Sequence, residues 1–127
     1  MSGSWLYQKC IVVIGGTTGI GLSAVQAFVH HGAKVVVVGR NEESVDKATA
    51  LLKEDGVGIA GDASQPGTAS RAIALCRKKF GSFHGLYHVA GGSGRKFGDG
   101  PLHELTLEGW NQTFQLNLTS LMLSNQE

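Results

Sequence analysis

The feature that most limits what this chain can fold into is a strand-length apolar run that breaks into glycines. Cys10–Ile14 is followed by Gly15-Gly16-Thr17-Thr18-Gly19-Ile20-Gly21, and then by a stretch of helical period. Gly15, Gly19 and Gly21 give the spacing G-x-x-x-G-x-G. Glycine is required where a backbone turns tightly out of a strand, where it must approach a pyrophosphate with no Cβ in the way, and where a helix packs closely on the strand before it. A helix that starts here would point its open N–H groups and positive dipole end at the phosphates. A triphosphate-binding P-loop is the rival reading, since Gly16 and Gly21 have the right separation. Leu22 and Ser23 follow Gly21, so the lysine that such a loop needs is missing.

The apolar run recurs. Cys10–Ile14, 33–38, 56–60 and 85–90 are all strand-length and not strictly alternating, as expected of strands covered on both faces. Helical stripes lie between them: Ile20, Ala24 and Phe28; Val45, Ala48, Leu51 and Leu52; Ala69, Ile73, Cys76 and Phe80. Asn41 and Ser64 stand where N-caps are expected, and Gly32 and Gly81 where helices stop. The pattern is βαβαβαβα, which predicts an α/β fold: a doubly wound parallel sheet between helix layers. After the fourth run come a glycine-rich loop, 91–100, a short helix over 101–105, and a last helix capped by Thr106 that carries Trp110, Phe114, Leu118 and Leu121 on one face. Asn117 falls on that same apolar stripe.

Composition narrows the function. At 127 residues the chain predicts one domain, 1–127; 42% apolar and 17% charged residues fit a chain that buries a core. A net charge of +1 lacks the basic excess that drives nucleic-acid binding. No apolar run reaches the length of a membrane helix and the N-terminus lacks a signal-peptide layout, so no membrane association and a cytoplasmic location are expected. Cys10 and Cys76 have no metal-ligand spacing, so they are expected to be buried thiols and no metal is predicted.

The second run ends Val38-Gly39-Arg40-Asn41, where an NAD-binding domain usually presents an acid to the ribose 2′-OH. A guanidinium at that place can hold a 2′-phosphate instead. NADP(H) is therefore expected over NAD(H), with Arg40 and Asn41 at that end of the cofactor. The other reading is a solvated arginine at a helix entry. Arg95 and Lys96, in the glycine-rich loop, are either solvated or turned toward the cofactor or an anionic substrate.

With the glycine turn, Gly61-Asp62 and the run Leu86-Tyr87-His88-Val89-Ala90-Gly91, the chain resembles the short-chain dehydrogenase/reductase family over essentially its whole length. The resemblance implies a Rossmann-type fold and hydride transfer between a nicotinamide cofactor and a small carbonyl or alcohol substrate. It places Gly15, Thr17, Thr18, Gly19, Ile20 and Gly21 around the cofactor phosphates, Asp62 and Ala63 against adenine, and Ala90 and Gly91 beside a ribose. It gives Asn117 the part of the family's catalytic asparagine, which supports a relay of water and lysine.

Three departures qualify it. Ile14 stands where the family usually has threonine, and His88-Val89 where it has two asparagines, although His88 can supply one donor and one acceptor. The catalytic tyrosine and the lysine four residues later are absent, since Tyr7 and Tyr87 have no lysine at that distance. The chain is thus expected to be the cofactor half of an enzyme, inactive alone and incomplete at its C-terminal side, with an exposed edge and apolar helix face that favour a homo-oligomer, dimer or tetramer. The alternative is a non-catalytic dinucleotide-binding module or sensor.

Overall fold

The computed structural model describes residues 4–127. Four strands, β1 (Cys10–Ile14), β2 (Lys34–Gly39), β3 (Gly56–Ala60) and β4 (Gly85–His88), form one parallel sheet in the order β3-β2-β1-β4. Val13 of β1 pairs with Val37 of β2 on one side and Tyr87 of β4 on the other. Because β1 is followed in sequence by its neighbour on one side and in space by β4 on the other, the winding direction reverses there. The crevice beyond the carboxyl ends of β1 and β4 is where doubly wound sheets take ligands.

Alternate residues of the central strands feed two cores. Cys10, Val12, Ile14, Val36 and Val38 face Ala69, Ala72, Ile73 and Cys76 of α3 (Thr68–Phe80). Ile11, Val13, Val35 and Val37 face Val25 of α1 (Gly19–His30), with Ala48 of α2 (Glu42–Ala50) and Leu52 just beyond that helix. Burial on both faces explains why these runs are continuously apolar. Both cysteines are buried; loss of water pushes the Cys76 thiol up to about 11, with Cys10 beside it adding to the effect. At that value it is un-ionised and inert.

The helices depart from the sequence reading in their phase. In α1 the face on the sheet is Gly21 and Val25, flanked by Leu22, Phe28 and Val29, while Ile20 is 71% exposed. Gly21 is pressed against the strand, and that contact rotates the start of the helix so that Ile20 faces outward. Leu51 is likewise exposed and Leu52 buried. Asn41 caps α2 as expected, its Oδ1 accepting from Ser44 N–H at 3.0 Å. Ser64 is not a cap: α3 begins after Gly67, and Ser64 is buried against Asp62. Gly32 and Gly81 end their helices with φ of +93° and +85°.

Past β4 the chain makes a 3-10 turn at Arg95–Phe97, and residues 101–104 form turns where a short helix was expected. Thr106 caps α4 (Leu107–Phe114), accepting from Gly109 N–H at 3.0 Å. A π-helical turn, Gln115–Thr119, leads into α5 (Ser120–Asn125). The row of Trp110, Phe114, Leu118 and Leu121 stands 41–55% exposed, and it is Gly109, Ser120 and Ser124 that turn inward.

Candidate functional site

The turn after β1 is stitched to both neighbouring strands. Gly15 and Gly16 N–H donate to Val38 O at 2.9 and 3.1 Å, and Val89 and Ala90 N–H donate to Ile14 O at 2.8 and 2.9 Å. Ile14, in place of a hydroxyl side chain, contributes its buried carbonyl to the β4 loop. Gly15 has φ +88°, and a Cβ there would stand 2.6 Å from Ala90 N. A Cβ on Gly21 would overlap Gly15 O. Helix α1 therefore starts against the strand end, as close as main chain can approach main chain. Thr18, at its N-cap, makes no side-chain bond to the first turn, and that turn carries no acid. Its N–H groups open onto the crevice, a ready site for an anion.

That crevice is a cleft of about 730 Å³, within the usual size of ligand sites. Gly15, Thr17, Thr18, Gly19 and Ile20 line its floor. Arg40, Asp62 and Ala63 line it beyond β2 and β3, and Ala90 and Gly91 beyond β4. Ten of the residues singled out in the sequence are thus brought together from four separate segments. Three are placed otherwise. Gly21 lies under the turn, where it lets helix meet strand. The Asn41 side chain is spent on capping α2. Asn117 stands beside the cleft wall and grips the β4 loop, accepting from Gly92 N–H at 3.0 Å and donating to Gly92 O at 2.7 Å and Thr113 O at 2.9 Å. It is exposed rather than buried, yet its amide is fully engaged.

Asp62 Oδ1 accepts from both N–H and Oγ of Ser64, at 2.9 and 2.7 Å, which holds the loop after β3 in one shape. Gln115 ties that loop to the π-turn, its Nε2 donating to Ser64 O at 3.0 Å. Arg40 is exposed and has no ion pair among the described residues.

Gln112, Leu116 and Ser120 also line the cleft, with Lys96 and Phe97. Sequence reading did not assign the first three to the site. Their i, i+4, i+8 spacing is present in the sequence, but the aromatic stripe beside it has the stronger apolar pattern. For Lys96 the sequence allows either solvent or ligand, and the structure puts it in the cleft lining.

His88 joins β4 to α5. Its Nδ1 lies 2.8 Å from Ser124 Oγ and its Nε2 2.9 Å from Ala90 O. A carbonyl can only accept, so Nε2 carries the proton and Nδ1 accepts from the serine. Burial lowers the His88 pKa below its ordinary 6.5, against a smaller raising effect of the Ala90 carbonyl. The folded chain therefore binds fewer protons than the unfolded one. The stability from neutral His88 is complete above pH 6.5 and is lost as pH falls from there through the folded value. The unfolding midpoint should drop by a few degrees more in wild type than in His88→Asn between pH 7 and pH 5; equal slopes would show that His88 does not titrate with unfolding.

A family model described as short chain dehydrogenase matches residues 9–127. Among curated proteins, 2-(S)-hydroxypropyl-CoM dehydrogenase 3 of Xanthobacter autotrophicus is 27% identical over 124 residues, covering 95% of this chain and 47% of the relative. The short-chain dehydrogenase/reductase PhomF of Diaporthe leptostromiformis is 35% identical over 126 residues, covering 89% and 43%. A solved short-chain dehydrogenase/reductase of Brucella melitensis, described as glucose/ribitol dehydrogenase, superposes with TM-score 0.84 at 26% identity, covering 94% of this chain and 50% of that one. A 3-ketoacyl-(acyl-carrier-protein) reductase of the same organism, solved with NADH, shares the fold with TM-score 0.84 at 20% identity, covering 95% and 49%. The chain spans about half the length of the curated relatives it matches. Among the described residues, no helix is long and apolar enough to cross a membrane.

Proposed function

Because the chain belongs to the short-chain dehydrogenase family, we propose that it is the dinucleotide-binding part of an oxidoreductase that takes NADP(H) in preference to NAD(H). The single observation that carries this reading is the glycine turn. It brings the N-terminus of α1 against β1 with no side chain in between, and it opens on a cleft whose one end presents an unpaired arginine.

The residues present suit such a cofactor. A Cβ on Gly19 would meet nothing within 4 Å, so the main chain at the head of α1 is bare toward the cleft, as a pyrophosphate needs. Thr17 and Thr18 offer hydroxyls to the phosphates, and Ile20 covers the same stretch. Asp62 and Ala63, held by the Ser64 bonds, flank the adenine end; Ala90 and Gly91 flank a ribose beyond β4. Arg40 takes the 2′-phosphate, where an acid would repel it. When bound, the nicotinamide would give or accept a hydride, with a small carbonyl or alcohol compound as the other party. Asn117 positions the loop that borders this end through both polar groups of Gly92, and a proton-transferring tyrosine and lysine would come from outside these residues. The exposed row from Trp110 to Leu121 supports reading the chain as a subunit of a homo-oligomer, dimer or tetramer.

Titrating the chain with NADPH and with NADH, followed by nucleotide fluorescence, tests the reading. Saturable binding with NADPH tighter by about tenfold is expected, the worth of one charge-assisted contact. Absence of binding by either nucleotide would overturn the assignment of the cleft, and tighter NADH binding would overturn the role of Arg40 alone.

A further inference from the structure

Ten residues with five glycines, 91–100, would be expected to form a slack loop. The structure holds this loop at both ends. Gly92 is gripped through its N–H and its carbonyl by Asn117. At the far end Thr106 Oγ1 donates to Phe97 O at 2.8 Å, and Thr106 N–H donates to Gly98 O at 3.0 Å. The glycines are there for close approach. A Cβ on Gly94 would overlap Thr113 Oγ1, and one on Gly109 would come within 2.6 Å of Gly98 O. The 3-10 turn Arg95–Phe97 is thus a fixed platform braced on the start of α4. Of its two cations, Lys96 lines the cleft and Arg95 does not. Neither has an ion pair among the described residues.

The two ends of the cleft differ in chemistry. Arg40 and the engaged carboxylate of Asp62 lie beyond β2 and β3. Lys96 follows β4 in the chain; Phe97, Val89 and Leu116 line the same cleft, as do the polar Gln112 and Ser120, and Asp62 is the one carboxylate among the described lining residues. With phosphates at the head of α1 and the adenosine end at Arg40, the β4 end is where the reacting carbonyl must sit. A cation on a hydrogen-bonded turn, in a lining that includes Phe97, Val89 and Leu116 as well as the polar Gln112 and Ser120, favours an anion joined to an apolar body.

We propose that Lys96 is a specificity-determining residue, and that the site accepts carbonyl substrates bearing a carboxylate on an apolar skeleton in preference to neutral ones. This inference rests on reading the cleft as the nucleotide site. Because Lys96 is exposed, solvent and salt screen its attraction, so a preference of about tenfold is expected rather than a thousandfold.

Phenylpyruvate and phenylacetone differ by a carboxylate in place of a methyl group. Their affinities would be measured by isothermal titration into the chain saturated with NADP+, which cannot reduce a ketone. Phenylpyruvate should bind about tenfold more tightly at low salt, and the gap should close in 0.5 M salt, where charge attraction is screened within roughly one contact. Lys96→Gln should make the two ketones equal while leaving NADP+ affinity and the unfolding midpoint unchanged. Arg95→Gln should keep the gap. Equal binding of the two ketones to wild type, or a preference that survives Lys96→Gln, would overturn the proposal while leaving the cofactor reading intact. Weaker NADP+ binding in Lys96→Gln with the ketone gap preserved would assign the lysine to the cofactor instead and would also overturn it. If neither NADP+ nor NADPH binds, the reading of the cleft fails and this inference fails with it.

Discussion

Replacing Gly21 with alanine is expected to abolish NADPH binding and to lower the unfolding midpoint by about 10 °C or more. The added Cβ would overlap Gly15 O and sit 3.0 Å from the Cα of Gly16, so its neighbours are main chain and not the flexible end of a side chain. Gly15 has no room to retreat. Its N–H is bonded to Val38 O at 2.9 Å, and the place of its own Cβ is 2.6 Å from Ala90 N. Relief requires α1 to lift from β1, which unpacks Val25 from Val13, Val35 and Val37. Overpacking against side chains typically costs 1–3 kcal/mol. Against fixed backbone about 3 kcal/mol or more is expected, near 10 °C for a chain of this size. Gly85→Ala serves as the control, because a Cβ there meets nothing within 4 Å. A Gly21→Ala variant that melts with the control and still binds nucleotide would show that the helix can slide, and that the close approach is not required.

The second large effect is expected from Arg40→Asp. The side chain is exposed and forms no ion pair among the described residues, so the fold should not suffer. Loss of a charge-assisted contact to the 2′-phosphate costs about 1.5–3 kcal/mol, and the introduced carboxylate adds repulsion. NADPH affinity should therefore fall by roughly 10- to 100-fold. NADH carries no 2′-phosphate, and its affinity should stay level or rise as the new carboxylate meets the 2′-OH. Parallel titrations with the two nucleotides separate the outcomes: equal weakening of both would mean that Arg40 acts on the cleft as a whole and does not discriminate at the ribose.

Much of the fold was legible because strands of a parallel sheet are apolar along their length, although only the central β1 and β2 are buried on both faces and the edge strands β3 and β4 stay partly exposed. Cys10–Ile14 and Gly56–Ala60 have the bounds that the apolar runs suggested, and the order of elements follows from the alternation of strand and helical period. The fourth apolar run continues through Ala90, two residues past the end of the strand at His88. Val89 and Ala90 leave the ladder because both N–H groups bond to Ile14 O, which turns the chain toward the cleft. Helix phase was less legible. Spacing identifies a stripe, but in α1 the stripe begins at an exposed Ile20, since contact between Gly21 and the strand end decides which side faces inward. In the last helix the aromatic stripe had the strongest pattern, and it is the row that remains uncovered.

His88 shows the same division at the level of one residue. Its type made a donor and an acceptor available, and its partners could not be named, because Ser124 lies 36 residues away and Ala90 only two. Lys96 is similar: nothing local separates it from Arg95, and only the bracing of their turn against α4 directs one of the two toward the cleft.

The amino-acid sequence by itself determined the strand–helix order, the parallel sheet, the close-packed glycine turn and the charge at the end of β2, because each follows from local sterics, periodicity or residue type. The tertiary structure alone decided which helix faces are buried, that Asn117 grips Gly92, that His88 bonds to α5, and that Lys96 and not Arg95 meets the cleft. Those outcomes depend on backbone segments far apart in sequence coming within hydrogen-bonding or van der Waals distance, and no local pattern encodes such distances.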